Sequence, residues 1–184
     1  MIRIFDFIFS LLGIVLLSPI GLVLFIIGLF DTGSPIFKQQ RVGRNQKPFN
    51  LYKFRTMDVN TKSVATHLTS QSSVTKFGSF LRKTKLDELP QLINVLMGTM
   101  SLVGPRPCLF NQEELIKERE ERGVFRYLPG ITGLAQVSRI DMSTPVKLAK
   151  VDAEMLEKMS LKYYFKFMFS TLFGGGQGDN IVIN

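Results

Sequence analysis

No charged residue occurs between Asp6 and Asp31, and the run from Phe7 to Phe30 is almost wholly apolar. A run of about 24 such residues is long enough to cross a ~30 Å hydrocarbon core as a helix. It is longer than the apolar core of a cleaved signal, and the FDTGSPIF that follows offers no small-residue cleavage site, so the segment is expected to stay on the chain. Ser18-Pro19 falls near its middle. Proline lacks an N–H and clashes with the carbonyl four residues back, here that of Val15, so a bend is expected, with Ser18 able to satisfy a freed carbonyl. The piece after it, Ile20 to Phe30, would be only ~17 Å long at 1.5 Å per residue, too short to span alone. Two topologies follow: a kinked spanning helix, or a re-entrant helix–break–helix that returns both ends to one face. Lys38, Arg41, Arg44 and Lys47 come directly after the run, which puts the rest of the chain on the cytoplasmic side in either case. Arg3, Asp6 and the amino group at the other end do not separate the two.

The remaining sequence is long enough for one domain with a core, in a chain of 184 residues. A net charge of +8 favours anionic partners such as acidic lipid or phosphorylated substrates. Nucleic acid is favoured by charge alone and is not expected. The single cysteine, Cys108, excludes an internal disulfide, and with only one histidine, His67, a Cys/His metal site is excluded too.

Alternation across Phe49-Asn50-Leu51-Tyr52-Lys53-Phe54 predicts a half-buried strand, with a turn at Gly43-Arg44-Asn45. Val59 to Thr75 is polar and reads as a mobile loop holding His67. Phe77 to Met97 reads as helical, with Leu86, Leu89, Ile93 and Leu96 forming one buried face, and Asp87-Glu88-Leu89-Pro90 resembling a helix start. Ser101 to Pro107 and Pro129 to Gly133 read as turn-rich connectors, Asn111 to Arg122 as a charged helix, and Leu134 to Val137 as a short strand. Leu161, Tyr164, Phe165, Met168, Phe169 and Leu172 recur at helical spacing between Lys158, Lys162 and Lys166. This basic amphipathic helix suits a membrane interface or a core-facing position. Gly174 to Gly178 reads as a flexible tail.

The adjacent carboxylates Asp87 and Glu88 are the candidate chemical centre. One reading is helix capping, since Thr84-Lys85-Leu86-Asp87 resembles a capping box. The other is a nucleophile beside a metal ligand: a carboxylate with a reference pKa of ~3.9 is ionised at neutral pH and needs no base. At ~4 Å and an effective dielectric of ~20, two like charges cost about 4 kcal/mol, so attack on an anionic diphosphate requires cations. Glu88 with Mg²⁺, and Lys53, Arg55, Arg82 and Arg106, are the candidates to supply them. Arg106 stands between two prolines, a stiff setting for a guanidinium that suits phosphate.

Four long segments, RIFDFIFSLLGIVLLSP, GSPIFKQQRVGRNQKPFNLYKFRTM, LRKTKLDELPQLINVLMGTMSLVGPRP and LPGITGLAQV, resemble in order those of the bacterial sugar transferases called monotopic phosphoglycosyl transferases. The resemblance implies a helix-rich α/β domain of the α+β kind. It implies a re-entrant membrane helix over residues 1–33 broken at Ser18-Pro19, and a cytoplasmic catalytic domain over residues 34–184 seated by interfacial amphipathic helices. It implies transfer of a sugar phosphate from a UDP-sugar to polyprenol (undecaprenyl) phosphate with release of UMP, through a phosphosugar on Asp87. Glu88 would hold Mg²⁺, and Arg82 and Arg106 would meet substrate phosphates. The expected setting is the bacterial cytoplasmic membrane and its anionic lipids, in surface glycan or glycoconjugate assembly, with self-association left open. Where many relatives carry an N-G-R-like turn, this chain has Ser138-Arg139-Ile140-Asp141, and Arg139 is the candidate to serve for the usual arginine. Lacking the extra regions of larger relatives, the chain resembles a minimal catalytic unit. The rival is a non-catalytic, basic, membrane-surface lipid-binding protein, which leaves the carboxylate pair and Pro105-Arg106-Pro107 without a use.

Overall fold

The computed structural model describes residues 1–61 and 73–172. His67, most of the polar stretch after Val59, and the glycine run from Gly174 lie outside the described residues. The fold is helix-rich α+β. Seven helices and two small sheets are present among the described residues: α1 (Ile2–Thr32), β1 (Ile36–Val42), β2 (Pro48–Phe54), α2 (Lys76–Thr84), α3 (Gln91–Leu96), β3 (Ser101–Val103), α4 (Glu113–Glu121), β4 (Gly130–Thr132), α5 (Leu134–Val137), α6 (Pro145–Glu157) and α7 (Leu161–Leu172).

The expected break at Ser18-Pro19 is not a break in the helix: α1 stays helical from Ile2 to Thr32 with Pro19 inside. The Ser18 hydroxyl donates to the Val15 carbonyl at 2.8 Å, the carbonyl that Pro19 cannot serve, so one lost hydrogen bond is replaced locally. At ~1.5 Å per residue α1 is roughly 46 Å long, yet both its ends lie on the same domain. Near its start, Asp6 is fully buried: Oδ1 accepts from the Ser101 hydroxyl at 2.9 Å, the Leu102 N–H at 2.9 Å and the Tyr164 hydroxyl at 3.0 Å. Arg3 donates to the carbonyls of Met100 and Val95. Near its end, Leu24 is buried with Phe54 and Leu81, and Asp31 accepts from the Thr75 hydroxyl. The rest of α1, from Ile4 through Phe30, exposes most of its large apolar side chains.

The strand β2 and its turn form as expected. β1 and β2 pair antiparallel, Val42 opposite Pro48, around a 3-10 turn at Arg44–Gln46 in which Asn45 and Gln46 take left-handed backbone. Other expected elements change. β3 and β4 form a parallel pair, Ser101 with Gly130 and Val103 with Thr132, where connectors were expected. The two chains approach so closely that a Cβ on Gly130 would stand 2.0 Å from the Gly104 nitrogen, which restricts the position to glycine. Leu134–Val137 is a helix and not a strand: Val137 and Ser138 donate back to the Gly133 and Leu134 carbonyls, and the partner strand ends at Val103. Leu, Ala and Gln are good helix formers, so a four-residue pattern carried little strand preference.

The helix expected over Phe77–Met97 is split. α2 ends at Lys85, whose φ of 58° is left-handed, a 3-10 turn covers Leu86–Glu88, and α3 starts after Pro90. A continuous helix would have set the Pro90 ring against the Leu86 carbonyl. The expected apolar stripe is only partly the inward face: Leu86 and Leu89 pack against the Leu24, Phe54 and Leu81 cluster, but Ile93 is exposed, and α3 buries Gln91, Asn94 and Val95 instead. α7 forms as expected, with Tyr164 and Phe167 buried and Tyr163 and Phe169 exposed, so it faces the core and also presents aromatics outward.

Candidate active site

Two segments meet at the carboxylate pair. The first is the 3-10 turn. Thr75 caps α2 by accepting from the Gly78 N–H at 2.8 Å, and a Cβ on Gly78 would stand 2.0 Å from the Thr56 carbonyl oxygen, so α2 is pressed onto the end of the hairpin. Lys85 then reverses the chain. The capping box does not form: the Thr84 hydroxyl donates backwards to the Phe80 and Leu81 carbonyls. Asp87 caps no long helix, and its side chain is buried in the turn at 4% exposure.

The second segment is the strap Pro105-Arg106-Pro107-Cys108. Its four successive carbonyls all accept: Pro105 from the Gly130 N–H at 2.8 Å, Arg106 from Arg119 Nη1 at 2.8 Å, Pro107 from Arg41 Nη1 at 3.1 Å, and Cys108 from the Val42 N–H at 3.0 Å. From this strap Arg106 Nη2 donates to Glu88 Oε1 at 2.8 Å, and Lys53 Nζ on β2 lies 3.5 Å from the same oxygen. Glu88 is therefore flanked by two cations with little solvent between them, which raises the strength of each contact over a surface pair. Beside them a small pocket, open to solvent, is lined by Arg41, Leu51, Lys53, Gln91, Arg106, Pro107 and Gly130.

Of the other expected site residues, Arg82 donates through Nε to the Thr56 hydroxyl at 2.9 Å, while its Nη1 is buried without a partner among the described residues. Such a donor costs about 1–3 kcal/mol until something accepts from it. Arg55 is engaged elsewhere: it donates to the Ser34 carbonyl at 2.8 Å and lies over the Phe37 ring. Arg139 is exposed in left-handed backbone after α5. Neither has a contact with Glu88 among the described residues.

Sequence reasoning missed Arg41, Arg119 and Asp152. Arg119 Nε and Nη2 donate to Asp152 Oδ2 at 3.0 and 2.6 Å, fully inside the α4–α6 interface. Burial pulls the Arg119 guanidinium down, but Asp152 and the neighbouring Cys108 outweigh it and hold the group above its ordinary range. Burial pushes the Cys108 thiol up against the opposing charge of Arg119. The signals were present in the spacing. Arg41 continues the alternation that buries Gln39, Arg119 follows Leu115 at i+4, and Asp152 shares a helical face with Leu148, Ala149, Met155 and Leu156.

The model of the family described as "Bacterial sugar transferase" matches residues 1–176. The chain belongs to that family. It is 39% identical to an uncharacterized sugar transferase of Haemophilus influenzae, over 99% of this chain and 41% of that protein. It is also 39% identical to the UDP-glucose:undecaprenyl-phosphate glucose-1-phosphate transferase of Escherichia coli, over 92% of this chain and 39% of that protein. The uncharacterized sugar transferase EpsL of Bacillus subtilis is 37% identical, over 92% of this chain and 84% of that protein. The chain thus spans about two fifths of the length of the first two relatives. In this family member the matched region takes in α1, the hairpin, the Asp87-Glu88 turn and the strap together.

Proposed function

We propose that this chain is a phosphoglycosyl transferase that moves a sugar-1-phosphate from a UDP-sugar to polyprenol phosphate and releases UMP. The observation that carries the reading is the Asp87-Glu88 turn, with Asp87 buried and Arg106 and Lys53 held against Glu88, beside a pocket that Arg41 also lines. The Escherichia coli relative, whose name specifies UDP-glucose and undecaprenyl phosphate, supports the substrate classes.

In the first transfer an Asp87 carboxylate oxygen attacks the phosphorus that bears the sugar. The bond from that phosphorus to the bridging oxygen breaks, and UMP leaves with the oxygen and its electron pair. In the second, a phosphate oxygen of polyprenol phosphate attacks the same phosphorus and frees the Asp87 carboxylate. Neither attacking group needs a base in its ordinary state, since a free carboxylate and a phosphate are anions at neutral pH. What the site must supply is positive charge: Lys53 and Arg106 from fixed backbone, and Arg82 Nη1, without a partner among the described residues, as a donor for phosphate oxygen.

Among the described residues no cluster of three His, Cys, Asp or Glu side chains could cage a metal. Mg²⁺ does not require one, since it binds through one or two carboxylates, waters and substrate phosphates. The hard oxygens of Glu88 fit that mode, with Asp87 adjacent. Bound there, Mg²⁺ would neutralise charge on the diphosphate.

The reading includes a membrane seat on the cytoplasmic side with Met1 on the same side as the domain. It is supported by Asp6 and Leu24, near opposite ends of α1, both being buried against one domain, and by the outward apolar faces of α1, α3 and α7. Anionic lipid is then the expected surface, given the net charge of +8.

The deciding experiment screens UDP-sugars for UMP release with polyprenol phosphate, with and without Mg²⁺. Release that needs both the divalent ion and Glu88 supports the assignment. Absence of UMP release from every UDP-sugar leaves the lipid-binding reading. Cysteine placed at position 2 should resist an impermeant reagent outside intact spheroplasts, and labelling there would mean a spanning helix.

A further inference from the structure

Resting on that reading, we propose that Arg119, clamped by Asp152, is a positioning residue that aims Arg106 at the reacting diphosphate. Prolines on both sides of Arg106 leave the strap no N–H of its own at residues 105 and 107, so its placement depends on what takes its carbonyls. Arg119 takes the Arg106 carbonyl itself at 2.8 Å. This fixes the peptide plane next to the Arg106 Cα and, with the flanking rings, the direction in which the side chain leaves the backbone. The far end of that side chain is the donor on Glu88. One continuous line therefore runs from Asp152 on α6, through Arg119 on α4 and the backbone of Arg106, to the carboxylate pair.

Stability is a poor reason for this arrangement. A buried ion pair generally does no better than well-packed apolar side chains of similar volume. The surrounding interface is apolar, built from Leu115, Leu148 and Ala149. The pair is also incompletely satisfied, since Asp152 Oδ1 is buried without a hydrogen-bond partner among the described residues. What the guanidinium does that an apolar side chain cannot is hold a carboxylate and a strap carbonyl at once.

The test uses the full chain and two readouts: UMP release with its kcat and KM, and binding of UDP by calorimetry. The double variant Arg119→Met/Asp152→Leu removes both charges together, so no lone charge is left in the core. With the Arg106 carbonyl left without the Arg119 donor, it should unfold within a few degrees of the wild type and lose on the order of 10- to 100-fold in kcat, with a smaller change in KM. Arg119→Lys, which keeps charge but not the fork, should also lose turnover and serves if the double variant misfolds. If Arg119 acts through Arg106, the loss should largely vanish in an Arg106→Lys background, because that variant has already lost the contact being aimed. Full turnover in the double variant, or an equal further loss in the Arg106→Lys background, would overturn the positioning role while wild-type UMP release keeps the transferase reading. A wild type that neither binds UDP nor releases UMP overturns both.

Discussion

The Asp87-Glu88 turn and the Pro105–Cys108 strap meet at one ion pair, between Arg106 and Glu88, but they are held in place by opposite means. The strap is held from outside. Two of its residues have no N–H, each of its carbonyls has a donor, and two of those donors are arginines reaching in from β1 and α4. The turn is held by its own backbone. It is set by one left-handed lysine, a short 3-10 segment and a proline, and by the packing of α2 onto Thr56. A segment gripped by donors on several elements changes only if those elements change. A segment defined by local backbone can be altered one residue at a time. The cationic half of the candidate site is thus built into the core, and the anionic half into a turn.

The largest effect should come from the turn. Asp87→Asn keeps size and shape but turns one accepting oxygen into a donor and the carboxylate into a poor nucleophile, and UMP release should fall by a factor on the order of 10⁴ or more. With UDP-sugar and Mg²⁺ but no lipid, the wild type should release up to one UMP per site and gain the mass of one phosphosugar on the peptide containing Leu86-Asp87-Glu88. The variant should show neither. UMP that appears only with lipid, and no adduct under rapid quench, would replace double displacement with a single direct transfer.

The strap side should come next. Arg106→Lys leaves the strap carbonyls their donors and puts a point charge where a planar fork stood, so the fold should persist. Turnover should drop by about 10²-fold, the usual scale for one lost transition-state donor. Wild-type kinetics in that variant would mean that Arg106 serves the fold through Glu88 and not the reaction.

This contrast also governs what could be read from sequence. Pro105-Arg106-Pro107 was legible because stiffness next to a guanidinium is written in three adjacent residues. Asp87 and Glu88 were legible as a pair, but their setting was not. Leu86, Leu89, Ile93 and Leu96 have helical spacing, and nothing local announces that Lys85 will take a positive φ. α3 buries Gln91 and Asn94 beside Val95 and leaves Ile93 outside, which a rule that puts apolar residues in the core does not foresee. The same exception buries Asp6 beside an apolar run, where it read as a stray flanking charge. Arg41 and Arg119 were missed because their job is to hold backbone carbonyls of a segment distant in sequence, and a carbonyl leaves no trace in residue identity. The β1–β2 hairpin was legible because alternation there agrees with burial, and α7 was legible as a helix, although the stripe's Phe169 is exposed and the off-stripe Phe167 is buried.

A smaller effect should separate local strain from function. Lys85 sits at a φ of 58° as the residue that ends α2, a place where glycine is the usual occupant. Lys85→Gly should raise stability by about 0.5–1 kcal/mol, seen as a higher denaturant midpoint with an unchanged slope. If backbone strain helps fix Asp87, the same variant should turn over several-fold more slowly although it is more stable. Equal turnover would show that packing of α2 on Thr56 is sufficient to define the turn.

The smallest effect should belong to the strap and appear only in alkali. Burial raises the Cys108 thiol above its ordinary value, so the folded chain keeps a proton that the unfolded chain gives up. When the folded pKa is the higher one, stability is complete below the unfolded pKa and declines as pH rises past it. The decline should therefore begin near pH ~8.5–9, at no more than about 1.4 kcal/mol per pH unit for one proton. Tyr164 adds a second decline of the same sign: burial first, then the Asp6 carboxylate, push its hydroxyl far up, and the unfolded phenol ionises near pH ~10. The two contributions can be told apart by where they start. In Cys108→Ala, stability measured from pH 7 upward should stay level until about pH 10 and fall only there. In Tyr164→Phe the earlier decline should remain. A decline that started near pH ~9 in Cys108→Ala would mean that another buried acid, and not the strap thiol, sets the alkaline limit of the fold.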